Sequence, residues 1–354
     1  MLKKLIATTA LISSVAITSV AVAQTTITGS LDLTLRNTSH DKDSGALSET
    51  SMGREAQINI ANKGKLNNGM DYAAGFSLEF DGTNTAVSGT AEPATISNEA
   101  VYINLISGGT TIHAGIDWIQ NAKQDLIGSA GDIIDEVGAS TVSGVALNYV
   151  GVLYPKESIG AGVVHNFGNG ITASGLYVPN AGNVGTGNNG AATLNNTGSN
   201  SAYEVGLRGV NVNNSGISFD IWRNKAEKME HADSVDSGET KGTAYSLGYN
   251  TGPFGLGVSK QTTKLDTAVD RDTKLAQVSY AVNKNLTASL VYAETELESV
   301  AAASRADEKV KSLMIGYNFG AVGLLVTASQ IENIGAINTG KDVDALGISL
   351  NTKF

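Results

Sequence analysis

The chain has 354 residues, with 24 Lys and Arg against 34 Asp and Glu, and it contains 41 Gly, 4 Pro and no cysteine. This acidic balance argues against a nucleic-acid partner, and the lack of cysteine excludes a disulfide framework and a thiolate metal site. Charged residues make up 16%, well below the quarter or so of an ordinary soluble domain, so the composition is not that of a soluble enzyme.

The first segment reads "MLKKLIATTALISSVAITSVAVAQ". Lys3 and Lys4, an apolar middle from Leu5 and the small-residue end Ala21-Val22-Ala23 predict a secretory signal peptide over 1–23, cleaved before Gln24. A retained anchor is disfavoured, because Thr8, Thr9, Ser13 and Ser14 interrupt the apolar run and no basic flank follows it. Beyond Gln24 no apolar run approaches the ~20 residues of a spanning helix.

Alternation begins at once. "TTITGSLDLTLRN" sets Ile27, Leu31, Leu33 and Leu35 against Asp32 and Arg36; "EAQINIAN" sets Ala56, Ile58 and Ile60 against Glu55, Gln57 and Asn59. After the turn "LNNG", Tyr72, Phe76, Leu78 and Phe80 stand opposite Asp71, Ser77 and Glu79. Period two of this kind marks strands with one apolar and one polar face. "EAVYINLI" and "TTIHAGIDW" follow around Gly108-Gly109, and then comes a long third loop over 119–157. Strands are predicted over Ile159 to Phe167, Ile171 to Val178 and Ala202 to Val212. Further pairs flank "NNS", "TGP", "NKN" and "GA", and "DALGISLNTKF" carries alternation to the last residue.

Short turns alternating with long polar loops, joined by strands of about ten residues, predict an all-β fold: a transmembrane antiparallel β-barrel over 24–354. Both ends on the short-turn side require an even strand number. Sixteen is the expectation, with "SGVALNYVGVLYP" assigned to the third loop, and eighteen is the alternative. Aromatics favour a membrane barrel over a soluble sandwich. Tyr72, Tyr249, Phe254, Tyr280, Tyr317, Phe319 and Phe354 lie near short turns, while Phe80, Trp118, Tyr177, Tyr203, Tyr245 and Tyr292 lie near long loops. Two sets at opposite strand ends make two interfacial girdles.

With its exported start, "KLNNGMDYAAGFSLE", a long loop after "AGIDW" and a terminal Phe354, the chain resembles the general Gram-negative porin family over nearly all of its mature length. The resemblance implies a sixteen-stranded outer-membrane barrel, a homotrimer with its third loop folded into the pore, and passive diffusion of small hydrophilic solutes and ions. It also implies that the outer-membrane assembly machinery reads the terminal strand ending at Phe354. One departure is Gln57, at a wall position where the family usually places arginine. Others are Ile116 and Asp117 after Gly115, where an arginine is common.

Within that frame the third loop supplies Asp125, Asp132, Asp135 and Glu136 against Lys123 as a constriction. Inward parity adds Asp32, Glu55, Asp71, Glu79, Asp117, Glu204 and Asp220 against Arg36, Arg208 and Lys353. Eleven acids against four bases predict a cation-preferring pore. No cofactor or metal is expected: "DKDSG" at Asp41 begins like a calcium loop, but its twelfth position is Met52. A barrel enzyme is the competing class, with His40, His113, His165 and His231 as pieces. His113 and Asp117 share a face but stand about 13 Å apart along a strand, too far for a direct dyad. A substrate-selective channel is the third class, and Trp222 is the one prominent inward aromatic for it.

Overall fold

The computed structural model describes residues 23–40, 49–85, 95–116, 159–179, 201–226, 239–265, 270–298, 306–333 and 342–354. The expected signal segment through Val22, the expected wall residue Asp117, the third-loop residues Lys123, Asp125, Asp132, Asp135 and Glu136, and "SGVALNYVGVLYP" lie outside them.

Sixteen strands follow in chain order. They are β1 (Gln24–His40), β2 (Glu49–Lys65), β3 (Asp71–Thr85), β4 (Thr95–Ser107), β5 (Thr110–Ile116), β6 (Ile159–Gly168), β7 (Ile171–Val178) and β8 (Ala202–Gly209). The second half comprises β9 (Ile217–Ala226), β10 (Thr240–Thr251), β11 (Phe254–Leu265), β12 (Arg271–Ala281), β13 (Leu286–Leu297), β14 (Glu308–Asn318), β15 (Val322–Glu332) and β16 (Val343–Lys353). Each pairs antiparallel with its sequence neighbours, and β1 pairs with β16, so the sheet closes into a barrel without an edge. Closure satisfies every ladder hydrogen bond inside the ring, which is the requirement a sheet must meet in lipid.

The expected alternation orients the ring. Ile27, Leu33, Leu35, Leu247, Leu256, Val258, Leu290, Leu313, Ile348 and Leu350 are all at least 38% exposed, on the outer face. Their sequence neighbours Asp32, Ser246, Ser289, Ser312 and Asn351 are buried on the inner face. Of the two aromatic sets, Tyr249, Phe254, Tyr280, Phe319 and Phe354 are exposed beside short turns, and Tyr177, Tyr203, Tyr245 and Tyr292 are exposed on the long-loop side. Phe254 and Tyr280 touch across β11 and β12 with ring centroids 4.9 Å apart. Trp118 lies outside the described residues.

One boundary differs from expectation. The eighth strand stops at Gly209 rather than running to Val212, and a 3-10 turn covers Val212–Asn214. Asn211, Asn213 and Asn214 take positive φ values of 48°, 51° and 60°, a left-handed conformation that asparagine tolerates and a strand cannot contain. Strands β5 and β6, ending at Ile116 and beginning at Ile159, flank the expected third loop, whose residues 119–157 lie outside the described ones. Between β6 and β7 the Asn169-Gly170 pair adopts φ values of 53° and 83°, the reversal suited to a tight hairpin.

The ring closes at a tight contact. Gly29 N–H donates to the Phe354 carbonyl at 2.7 Å, and Phe354 N–H donates to the Gly29 carbonyl at 2.9 Å. On the inner side Asn351 Nδ2 donates to Asp32 Oδ1 at 2.6 Å, joining residues 319 positions apart.

Candidate functional site

The inner wall is the candidate functional surface, and strand register decides which of its charges meet. Asp32 on β1 stands directly opposite Glu55 on β2, and Glu55 stands opposite Asp81 on β3. One step nearer the short turns Gln57 stands opposite Glu79. Asp32 and Glu79 are both 5% exposed. Directly opposed residues share a face, with Cβ atoms about 5 Å apart. Asp32 and Glu55 therefore bring two carboxylates together across β1 and β2, and Glu79 on β3 lies two residues along on the same face. Gln57 falls on the same parity and accepts from Asn59 Nδ2 at 3.1 Å.

A second group lies on β8 and β9. Arg208 is opposite Asp220, Gly206 is opposite Trp222, and Glu204 is opposite Asn224. The Arg208 guanidinium reaches Asp220 Oδ2 at 3.4 Å. Glu204, Asp220, Trp222 and Asn224 are all buried. Gly206 on one side and Ala244 on the other leave the Trp222 ring flanked by small residues. Arg36 and Lys353 also fall on the inner parity of β1 and β16.

Sequence reading missed several wall residues. Lys63 and Lys65 continue the inner parity of β2 beyond Asn59, and Lys65 Nζ pairs with Asp71 Oδ1 at 2.5 Å at the short-turn mouth. Arg271 on β12 and Glu308 on β14 also take inner parity. Extending the alternation two or three steps beyond each apolar run would have found all four. Among the described inner side chains seven acids (Asp32, Glu55, Asp71, Glu79, Glu204, Asp220, Glu308) then face six bases (Arg36, Lys63, Lys65, Arg208, Arg271, Lys353). The wall is closer to balance than the parity estimate made it.

Trp222 is not the one inward aromatic. Tyr102 on β4 lies opposite the inward Gly75, and its ring stacks on His113 at a centroid distance of 6.3 Å. His113 Nδ1 is 2.7 Å from Asn104 Oδ1, and Asp117 lies outside the described residues. His165 Nδ1 is engaged by the Thr110 hydroxyl at 2.8 Å on the outer face. His231 and the side chain of His40 are likewise outside the described set. The inner face is also less uniformly polar than alternation implies. On β12–β16 it carries a cluster of Leu275, Val291, Ala293, Val310, Met314, Leu325, Ile331 and Val343.

A ring with an apolar exterior and carboxylates, guanidinium and ammonium groups within can hold a charged, hydrated path through a membrane. Comparison with known proteins agrees with that geometry. The family model described as Gram-negative porin matches residues 7–349. Among solved structures, an anion-selective porin from Comamonas acidovorans superposes with a TM-score of 0.61 at 14% identity, covering 94% of this chain and 100% of that one. A mutant of the Rhodopseudomonas blastica porin gives a TM-score of 0.61 at 15% identity with the same coverage. Among curated protein sequences none matches. This chain belongs to the Gram-negative porin family.

Proposed function

We propose that the protein is exported with loss of residues 1–23 and forms a water-filled channel in the outer membrane of a Gram-negative cell. There it passes small hydrophilic solutes and ions by passive diffusion. The observation that carries this reading is the closed ring of sixteen strands, apolar outside and charged within. No step of it calls for catalysis. Family membership supports a homotrimer, and the terminal aromatic strand supports delivery by the outer-membrane assembly machinery.

The sign of ion selectivity cannot come from likeness, since one similar structure is titled anion-selective. It has to come from where this chain's charges stand. Lys63, Lys65 and Lys353 lie near the short turns, while Asp32, Glu55 and Glu79 lie farther up the strands. At mid-height acids outnumber bases. The reading adds Asp125, Asp132, Asp135 and Glu136 of the third connection, facing Lys123, at the narrowest point. Charges there act on an ion that cannot keep its distance or its full hydration. The channel therefore prefers cations.

Reversal potentials across a planar bilayer under a KCl gradient test this. K⁺ preference is expected, and it should shrink when the four loop acids become amides. It should shrink less for Asp32→Asn alone, which sits in a wider lumen screened over about 8–10 Å at ordinary salt. An anion-preferring channel, or one whose selectivity ignores the loop amides, overturns the assignment of selectivity. A purified barrel that conducts nothing overturns the channel itself.

A further inference from the structure

The geometry points to a binding site for a small organic anion with a flat apolar body, an aromatic carboxylate, in the inner wall of β2–β4 at the short-turn mouth. The inference rests on the reading of the inner wall as a channel lining. It deepens that reading by naming a class of solute that the mouth holds.

Small side chains hollow the wall there. Ala61 stands opposite Gly75, and Lys63 opposite Ala73. Gly75 in turn stands opposite Tyr102, and Ala73 opposite Asn104. Two successive rows therefore cross from β2 to β4 with only Gly or Ala in the middle. The result is a cavity of about 670 Å³ whose lining includes Gln24, Lys63, Lys65, Ala73, Tyr102 and Asn104. Sites that enclose a small organic molecule occupy about 300–1,000 Å³. A bare inorganic ion has no use for so much space.

The aromatic border of the cavity is held in place. A Cβ on Gly75 would lie 3.0 Å from a ring carbon of Tyr102 and 3.0 Å from its hydroxyl oxygen, so the ring lies along the wall over a residue without a side chain. His113 stacks with that ring at a centroid distance of 6.3 Å and an interplanar angle of 16°. Asn104 fixes the imidazole in turn, at 2.7 Å.

Charge supplies the sign. Lys65 is held by Asp71 at 2.5 Å, whereas Lys63 makes no ion pair with a described residue. Between the row of Lys65 and that of Tyr102, no other charged side chain faces inward among the described residues of β1–β5, and His113 is the one titratable neighbour. The next inward acid on β3 is Glu79, six residues beyond Ala73, roughly 20 Å along the strand. Lys63 thus keeps an uncompensated ammonium. It shares a row with Asn104 two strands away, a span of roughly 10 Å. A carboxylate takes the ammonium in a charge-assisted hydrogen bond, and its ring covers Ala73 and meets the edge or face of Tyr102. A cation finds no free carboxylate here, and a small hydrated anion leaves the apolar floor wet.

The test titrates the barrel, purified from outer membranes into detergent, with benzoate, benzyl alcohol and acetate by isothermal calorimetry at low ionic strength. Benzoate is expected to bind at least about tenfold more tightly than benzyl alcohol, which lacks the charge, or acetate, which lacks the ring. Lys63→Gln should weaken benzoate about tenfold and leave benzyl alcohol as it was. Tyr102→Ala should weaken benzoate several-fold, and Tyr102→Phe, which keeps the ring, should restore most of that loss. Lys284→Gln removes an exposed ammonium from another short turn and should change nothing. Lys63 is exposed, so its variant decides the matter even where a Tyr102 variant fails to fold. Equal affinity for the three probes, or equal weakening in K63Q and K284Q, overturns the proposal. Conductance without benzoate reports on the channel separately: a barrel that binds benzoate yet conducts nothing refutes the channel and leaves the site standing.

Discussion

Closing the ring depends on a glycine. A Cβ built on Gly29 would lie 2.5 and 2.6 Å from carbons of the Phe354 ring and 2.9 Å from the Gln57 carbonyl oxygen. The ring can swing away, because Phe354 is 58% exposed, but the carbonyl belongs to the β2 ladder and cannot. Gly29→Ala therefore forces β1 away from β2 or from β16, at an overpacking cost of about 1–3 kcal/mol. The damage falls on the two hydrogen bonds that join Gly29 to Phe354. Local opening at the seam should become easier by the same amount, so exchange protection of the Phe354 amide should fall by about 5- to 150-fold. Gly53 is the control, since a Cβ there meets nothing within 4 Å. Gly53→Ala should leave the seam unchanged. Hydrogen exchange read by NMR or mass spectrometry on the detergent-solubilised barrel makes the comparison. Wild-type protection at Phe354 in Gly29→Ala, or equal loss in both variants, would refute the steric argument.

Deleting Phe354 removes two backbone hydrogen bonds, about 1–3 kcal/mol together, which cannot unfold sixteen continuous ladders. The truncated barrel should refold in detergent yet accumulate poorly in cells; normal cellular yield would remove the assembly role. Asn351→Ala leaves the buried Asp32 carboxylate without its 2.6 Å donor, and denaturant unfolding should show a loss of about 1–3 kcal/mol. Lys65→Gln breaks an ion pair whose side chains are 59% and 52% exposed, so the same measurement should change by less than about 1 kcal/mol. Hydrogen bonds from Lys225 and Lys241 hold the Glu239 carboxyl below the usual glutamate range. A depressed folded value means that its tether is present at neutral pH and is lost as pH falls through that value. Protection of the neighbouring Lys241 amide should thus persist to mild acid and then drop, and Glu239→Gln should abolish the pH step.

Much of this barrel was legible in the chain because its side-chain period is local. Asp32 faces inward between Leu31 and Leu33 for the same reason that Lys353 does between Thr352 and Phe354: successive side chains point to opposite faces of a strand, whatever the strand pairs with. The turn between β6 and β7 could be placed from Asn166, Gly168, Asn169 and Gly170 alone. The pattern lost power where both parities are apolar. On β14 and β15, Val310, Met314, Leu325 and Ile331 face inward while Leu313, Ile315 and Val326 face out. There hydrophobicity no longer names the side. At strand ends a charge such as Lys63 or Arg271 falls beyond the apolar run that announces the strand.

Parity assigns a residue to a face but not to a neighbour. That Asp32 meets Glu55, that Arg208 meets Asp220, and that Lys225, Lys241 and Lys264 line up on three strands follow from register. Turn geometry sets the register between consecutive strands, and closure of the ring sets it between β1 and β16. Asp32 and Asn351 lie 319 residues apart, and no local preference connects them. Only the closed sheet, which must leave no backbone donor unpaired in lipid, brings them together.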